Sequence, residues 1–128
     1  MMESKLPEIG LIICNSGASN SGPLTGLASI EVIKEFANTD IFSLPALANK
    51  ILRQLGLVKK VPHLIIIDGC KNGCAKKIAE SLQISYDAYL NLEYDLGIKK
   101  IGPFTTLQYS EADIGKVKNS IRKIILKG

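Results

Sequence analysis

The run Leu64–Ile67, four consecutive apolar residues ending in Asp68-Gly69, constrains the fold of this chain more than any other feature. With Val61 opening the segment and Asp-Gly closing it, Val61–Asp68 reads as a strand. Because the apolar residues are consecutive rather than alternating, the strand is expected to be covered on both faces. Ile9–Ile13, "IGLII", has the same character and ends at Cys14. Two such strands call for a parallel sheet with helices packed on either side.

The intervening segments supply those helices. Leu24–Asn38 has helix-compatible apolar positions at Leu27, Ile30, Ile33 and Ala37. Leu44–Leu57 reads as a single helix, with Ser43 at its cap, Pro45 tolerated in its first turn and Gly56 suited to its stop. Asn72–Gln83 carries an apolar stripe of Cys74, Ala75, Ile78, Ala79 and Leu82, and Tyr86–Leu92 suits a third strand. Lys99–Tyr109 has no clear period and is expected to be irregular, with a short edge strand. Ser110-Glu-Ala-Asp113 resembles a capping box opening a last helix through Ile114, Val117, Ile121 and Ile124. The expected architecture is one small α/β domain over residues 1–128, three-layered and Rossmann-like, with a short parallel sheet flanked by helices.

Composition narrows the partners. "MMESKLPEIG" has no apolar signal-type core, and no run approaches the roughly eighteen apolar residues of a membrane span, so a cytoplasmic protein without membrane contact is expected. The net charge of +4 comes from dispersed lysines, and only 5% of residues are aromatic, with no Trp. Such a surface reads as a solvated face, poorly equipped to stack bases, rather than as a nucleic-acid site. Three cysteines without a secretory signal point to thiols, reactive or metal-bound, in place of a disulfide framework.

In parallel sheets ligands collect beyond the carboxyl ends of the strands, and there the cysteines fall: Cys14 ends the first run, and Asp68-Gly69-Cys70 ends the second. Cys70 and Cys74 share one face about 6 Å apart if both occupy a first helical turn, which suits two ligands of one metal better than a disulfide. His63 begins the strand that ends at Asp68, so it belongs at the opposite edge.

The segments "CNSGASNSG", "SLPALANKI", "IIIDGCKNGCAKK" and "NLEYDLGIKK" carry a resemblance, over roughly Ile9–Lys123, to the DGC domain family of small zinc-binding proteins, named for Asp68-Gly69-Cys70. The resemblance implies a zinc centre of four cysteines, three of them at Cys14, Cys70 and Cys74. Its fourth position carries Ser43 in this chain. A serine hydroxyl is a poor zinc ligand near neutral pH, and three thiolates with a water would form an open site that Asp68 or Asp40 could close.

A second reading starts from the loop after Cys14. A cysteine at a strand end, followed by a Gly/Ser-rich turn into a helix, is similar to the phosphate cradle of cysteine phosphatases and phosphocysteine transferases. Ser16, Gly17, Ser19, Asn20 and Ser21 are then the anion-binding residues, with Cys14 or Cys70 as the nucleophile or carrier in sulfur or phosphoryl transfer. The arginine that the phosphatase signature needs six residues after its cysteine is Asn20 here, which argues against phosphatase activity. The structural alternatives are that Gly17, Gly22 and Gly69 serve turns or close approach, that Asp68 and Ser43 cap helices, and that the thiols are small core side chains.

Overall fold

The computed structural model describes residues 6–15 and 19–127. Four strands, β1 (Ile9–Ile13), β2 (Thr39–Phe42), β3 (His63–Asp68) and β4 (Ala88–Asn91), form one sheet in the order β2-β1-β3-β4, every pair parallel. The helices are α1 (Ser21–Glu35), α2 (Leu44–Ala48), α3 (Leu52–Val58), α4 (Cys74–Ser81), α5 (Leu92–Leu96) and α6 (Glu111–Lys127).

The covered faces expected of β1 and β3 follow from this order. Leu11, Ile13, Ile65 and Ile67 pack with Leu24, Ala28 and Val32 of α1 and with Val117 and Ile121 of α6. Ile12, Leu64 and Ile66 face the other way, onto Leu44 and Leu47 of α2, Val58 of α3 and Ala75 and Ala79 of α4. Consecutive side chains of one strand thus enter two different cores, so no polar position interrupts the run.

The chain steps from β1 to β2 in one direction, then returns past β1 to β3. Right-handed crossovers place connections running in opposite directions on opposite faces, and α1 and α4 do lie in different cores. The loops leaving β1 and β3 therefore part company at their carboxyl ends and open a crevice between them.

Four local expectations are corrected. The first helix starts at Ser21, not Leu24. Leu44–Leu57 is two helices, because Lys50 adopts a left-handed φ of 57° and Ile51 is extended; Gly56 then lies inside α3 instead of ending it. β2 was not apparent as a strand, and residues 99–109 form turns instead of an edge strand. Cys70 lies outside α4, which begins only at Cys74 after the left-handed Gly73, so the two cysteines do not share a helical turn. The Ser110 half of the expected capping box is present, with Ser110 Oγ accepting the Asp113 N–H at 3.1 Å.

Candidate functional site

β1 continues its ladder one residue past its end: the Cys14 N–H donates to the Ile67 carbonyl at 3.1 Å, which fixes Cys14 beside the last residues of β3. Continuing the strand alternation, Cys14 packs against the core on the α4 side. Across the crevice, Gly69 meets the first residue of α1. A Cβ at Gly69 would stand 2.8 Å from Ser21 Cβ and 2.9 Å from the Ser21 carbonyl oxygen. The φ of Gly69 is not in the left-handed range, so close approach, not turn geometry, is what glycine supplies here.

That approach closes a cavity of about 210 Å³ lined by Cys14, Ser19, Ser21, Gly22, Asp68, Gly69, Cys70, Asn72, Cys74 and Lys100. All three cysteines contribute to it, although Cys14 and Cys74 lie on different sides of the switch in strand order. Cys14 and Cys70 are half-buried and Cys74 is exposed.

Asp68 is 1% exposed and occupied by structural bonds. Its carboxylate accepts from the Ala75 N–H at 2.8 Å, the Lys76 N–H at 3.0 Å and the Tyr89 hydroxyl at 2.9 Å. It thus caps α4 from the end of β3, where its charge also complements the helix dipole. The Tyr89 phenol is pushed well above its usual range, first by burial and then by its bond to Asp68.

Cys70 is held through its backbone. Its carbonyl accepts from Asn91 Nδ2 at 2.8 Å and from the Gly73 N–H at 3.1 Å. Asn91 also donates to the Tyr89 hydroxyl at 3.0 Å and caps α5 through Oδ1. Lys100 Nζ points to the Cys70 sulfur at 3.9 Å. It reaches there because Asn20, 3% exposed, brackets it: Asn20 Nδ2 donates to the Lys99 carbonyl and Oδ1 accepts the Ile101 N–H, both at 3.0 Å.

Of the anion-binding expectations, Ser16 and Gly17 lie outside the described residues. Ser19 and Ser21 line the cavity, their hydroxyls 3.1 Å apart, whereas the Asn20 amide is turned to the 99–101 backbone. Ser43 is exposed and caps α2, accepting the Ala46 N–H at 3.3 Å; it does not line the cavity. Asp40 is exposed on β2 and accepts its neighbour Ile41's N–H. His63 is exposed at the opposite edge, 3.8 Å from Asp87.

Three thiols are a fitting donor type for a soft metal. By position, however, no group of three or more His, Cys, Asp or Glu side chains among the described residues is arranged to hold one ion. Nothing in the sequence marks Lys100, Asn91 or Tyr89 as site residues beyond the resemblance that the segment Asn91–Lys100 carries. Among the described residues no helix is long and apolar enough to cross a membrane.

Fold and site define an α/β protein with a thiol-lined cavity at the switch point of a parallel sheet. The chain matches the DGC domain family over residues 11–121, most of its length, and belongs to that family. No curated protein and no solved structure matches it.

Proposed function

We propose that the chain is a metal-binding protein whose ligands are Cys14, Cys70 and Cys74, with zinc as the ion. The observation that supports this reading is that all three cysteines line one small cavity, Cys14 from the end of β1 and Cys70 and Cys74 from the connection after β3. Thiolates of this kind suit zinc, and closing them onto an ion requires movement of the β3–α4 loop, which carries Cys70 and leads into Cys74 at the start of α4. The three hydrogen bonds that Asp68 accepts commit it to the α4 cap, which favours solvent or a residue brought from the end of β2, where Ser43 lies, as the fourth donor.

Zinc titration of the reduced, chelator-treated protein tests the reading. About one zinc per chain is expected, with each of Cys14→Ala, Cys70→Ala and Cys74→Ala lowering affinity at least tenfold. Stoichiometry near zero in the folded wild type would sink it. Ser43→Cys tests the fourth position: a gain of tenfold or more would put residue 43 in the centre, and an unchanged affinity would remove it.

A second reading is favoured by the Lys100–Cys70 contact. Here Cys70 is a nucleophile or carrier thiol, and Ser19, Ser21 and Lys100 receive a small anion beside it. Rapid alkylation of Cys70 in protein without metal supports this reading; alkylation no faster than that of a model peptide thiol counts against it.

A further inference from the structure

Lys100 is bound to the site from two directions. Its ammonium rests against the Cys70 sulfur and lines the cavity. Its backbone is clamped on both sides by one buried side chain, since Asn20 bonds the carbonyl before it and the N–H after it. Asn20 opens α1 without capping it through its side chain, so its amide serves the 99–101 segment in place of its own helix. The segment itself is irregular, and Ile101 beyond it is 53% exposed, so little packing fixes it there other than this clamp.

The cavity also has a charge character that follows from these contacts. Lys100 is its cation. Asp68, the one carboxylate among the described residues that line it, faces the N–H groups of α4 and the Tyr89 hydroxyl. Ser19 and Ser21 add hydroxyls at the N-terminal end of the fifteen-residue α1, whose first residue is Ser21. A small anion entering this space meets a positive charge beside a sulfur nucleophile, whereas a neutral molecule of the same size can at most accept a hydrogen bond from Lys100 and lacks the charge–charge attraction.

We infer that Lys100, positioned by Asn20, is the specificity-determining residue of the Cys70 thiol, selecting small anionic electrophiles over neutral ones. The inference rests on the thiol reading above and extends it by naming the ligand class and the residues that read it. In the probe reaction the Cys70 sulfur attacks the methylene of iodoacetate. A C–S bond forms, the C–I bond breaks, iodide leaves with the bonding pair, and the thiol proton passes to buffer. Iodoacetamide undergoes the same displacement without the carboxylate, so the ratio of the two rates at one pH isolates the charge effect from the general reactivity of the thiol.

The experiment measures that ratio at Cys70 by peptide mapping of the reduced, metal-free full chain, normalised to a model peptide thiol. The wild type is expected to favour iodoacetate by at least about fivefold over the peptide. Lys100→Gln should abolish the preference and Lys100→Arg should retain most of it. Asn20→Ala should lower it although it leaves the ammonium in the chain, and Lys60→Gln, at an exposed lysine that does not line the cavity, should not move it. Circular dichroism checks that each variant is folded, and Lys100→Gln, which removes no buried side chain, carries the test if Asn20→Ala does not fold. A Cys70 that reacts first but with a ratio indifferent to Lys100 overturns this inference and leaves the thiol reading standing. First labelling at Cys14 or Cys74 overturns both.

Discussion

The side-chain amide of Asn91 donates to the carbonyl oxygen of Cys70 at 2.8 Å, joining the last residue of β4 to the loop that carries the central thiol. The same amide reaches Tyr89, Tyr89 reaches Asp68, and Asp68 caps α4 just below Cys74. Two of the three cysteines are thus held by one chain of polar groups, buried Asn91 and Asp68 joined through half-buried Tyr89. Asn91→Ala removes the cap of α5 and orphans the Cys70 carbonyl from its side-chain donor. A loss of about 2–3 kcal/mol is expected in urea unfolding, from the cap and the buried bonds together. Asn91→Asp, which keeps the cap acceptor but not the donor, should recover only part of it.

Tyr89 gives the network a pH dependence. Burial, and next to it the bond to Asp68, holds its phenol above the usual 10.0, with the Asn91 bond acting in the opposite sense. The folded protein keeps this proton where the unfolded chain has lost it. The stability it contributes is therefore complete below about pH 10 and declines as pH rises further, toward the folded value. Unfolding measured from pH 9 to 12 should show that decline. Tyr89→Phe should flatten it while costing about 1 kcal/mol at pH 7 for the lost bond. Tyr86, raised first by burial and then by its bond to Glu80, supplies a residual slope. An identical decline in Tyr89→Phe would contradict the assignment.

The outline of the fold was legible wherever a segment is buried on both sides. β1 and β3 are the central strands, and their unbroken apolar runs state as much. β2 is an edge strand of four residues whose first two, Thr39 and Asp40, are polar, so only Ile41 and Phe42 mark it. The break at Lys50 was hidden because a left-handed residue that is not glycine leaves no composition signal. At the site, the place of the cysteines beside one cavity was readable because crevices open beyond the carboxyl ends of the strands in parallel sheets, where Cys14 and Cys70 fall. Lys100 was not, since its place depends on a contact between residues 20 and 99–101, far apart in sequence, and a lysine pair in an irregular stretch looks like ordinary surface.

Gly69 brings the β3–α4 loop tightly against Ser21, the first residue of α1. Gly69→Ala sets a methyl group against the Ser21 backbone carbonyl and Cβ, neither of which can turn aside like a long side chain. The cost expected from overpacking is about 1–3 kcal/mol, read in thermal or urea unfolding. The loop must also shift away from α1, which separates Cys70 from Ser19 and Ser21. A variant with wild-type stability and unchanged thiol reactivity would show that the approach is not needed.

Lys100 also bears on the metal reading, because its ammonium and an incoming cation compete for the same Cys70 sulfur. An ion bound by Cys14, Cys70 and Cys74 must displace that contact and would then lie close to a like charge. Lys100→Met removes both obstacles and keeps the length and apolar stem of the side chain. Zinc affinity in this variant is expected to rise by about tenfold, equivalent to about 1.4 kcal/mol, at low salt, and by less at high salt, where screening already weakens the repulsion. Competition titration against a chromophoric chelator at two ionic strengths measures both effects. An affinity that falls on loss of Lys100 would show instead that the lysine supports the bound centre, which would be the case if it neutralises an excess of thiolate charge around the ion.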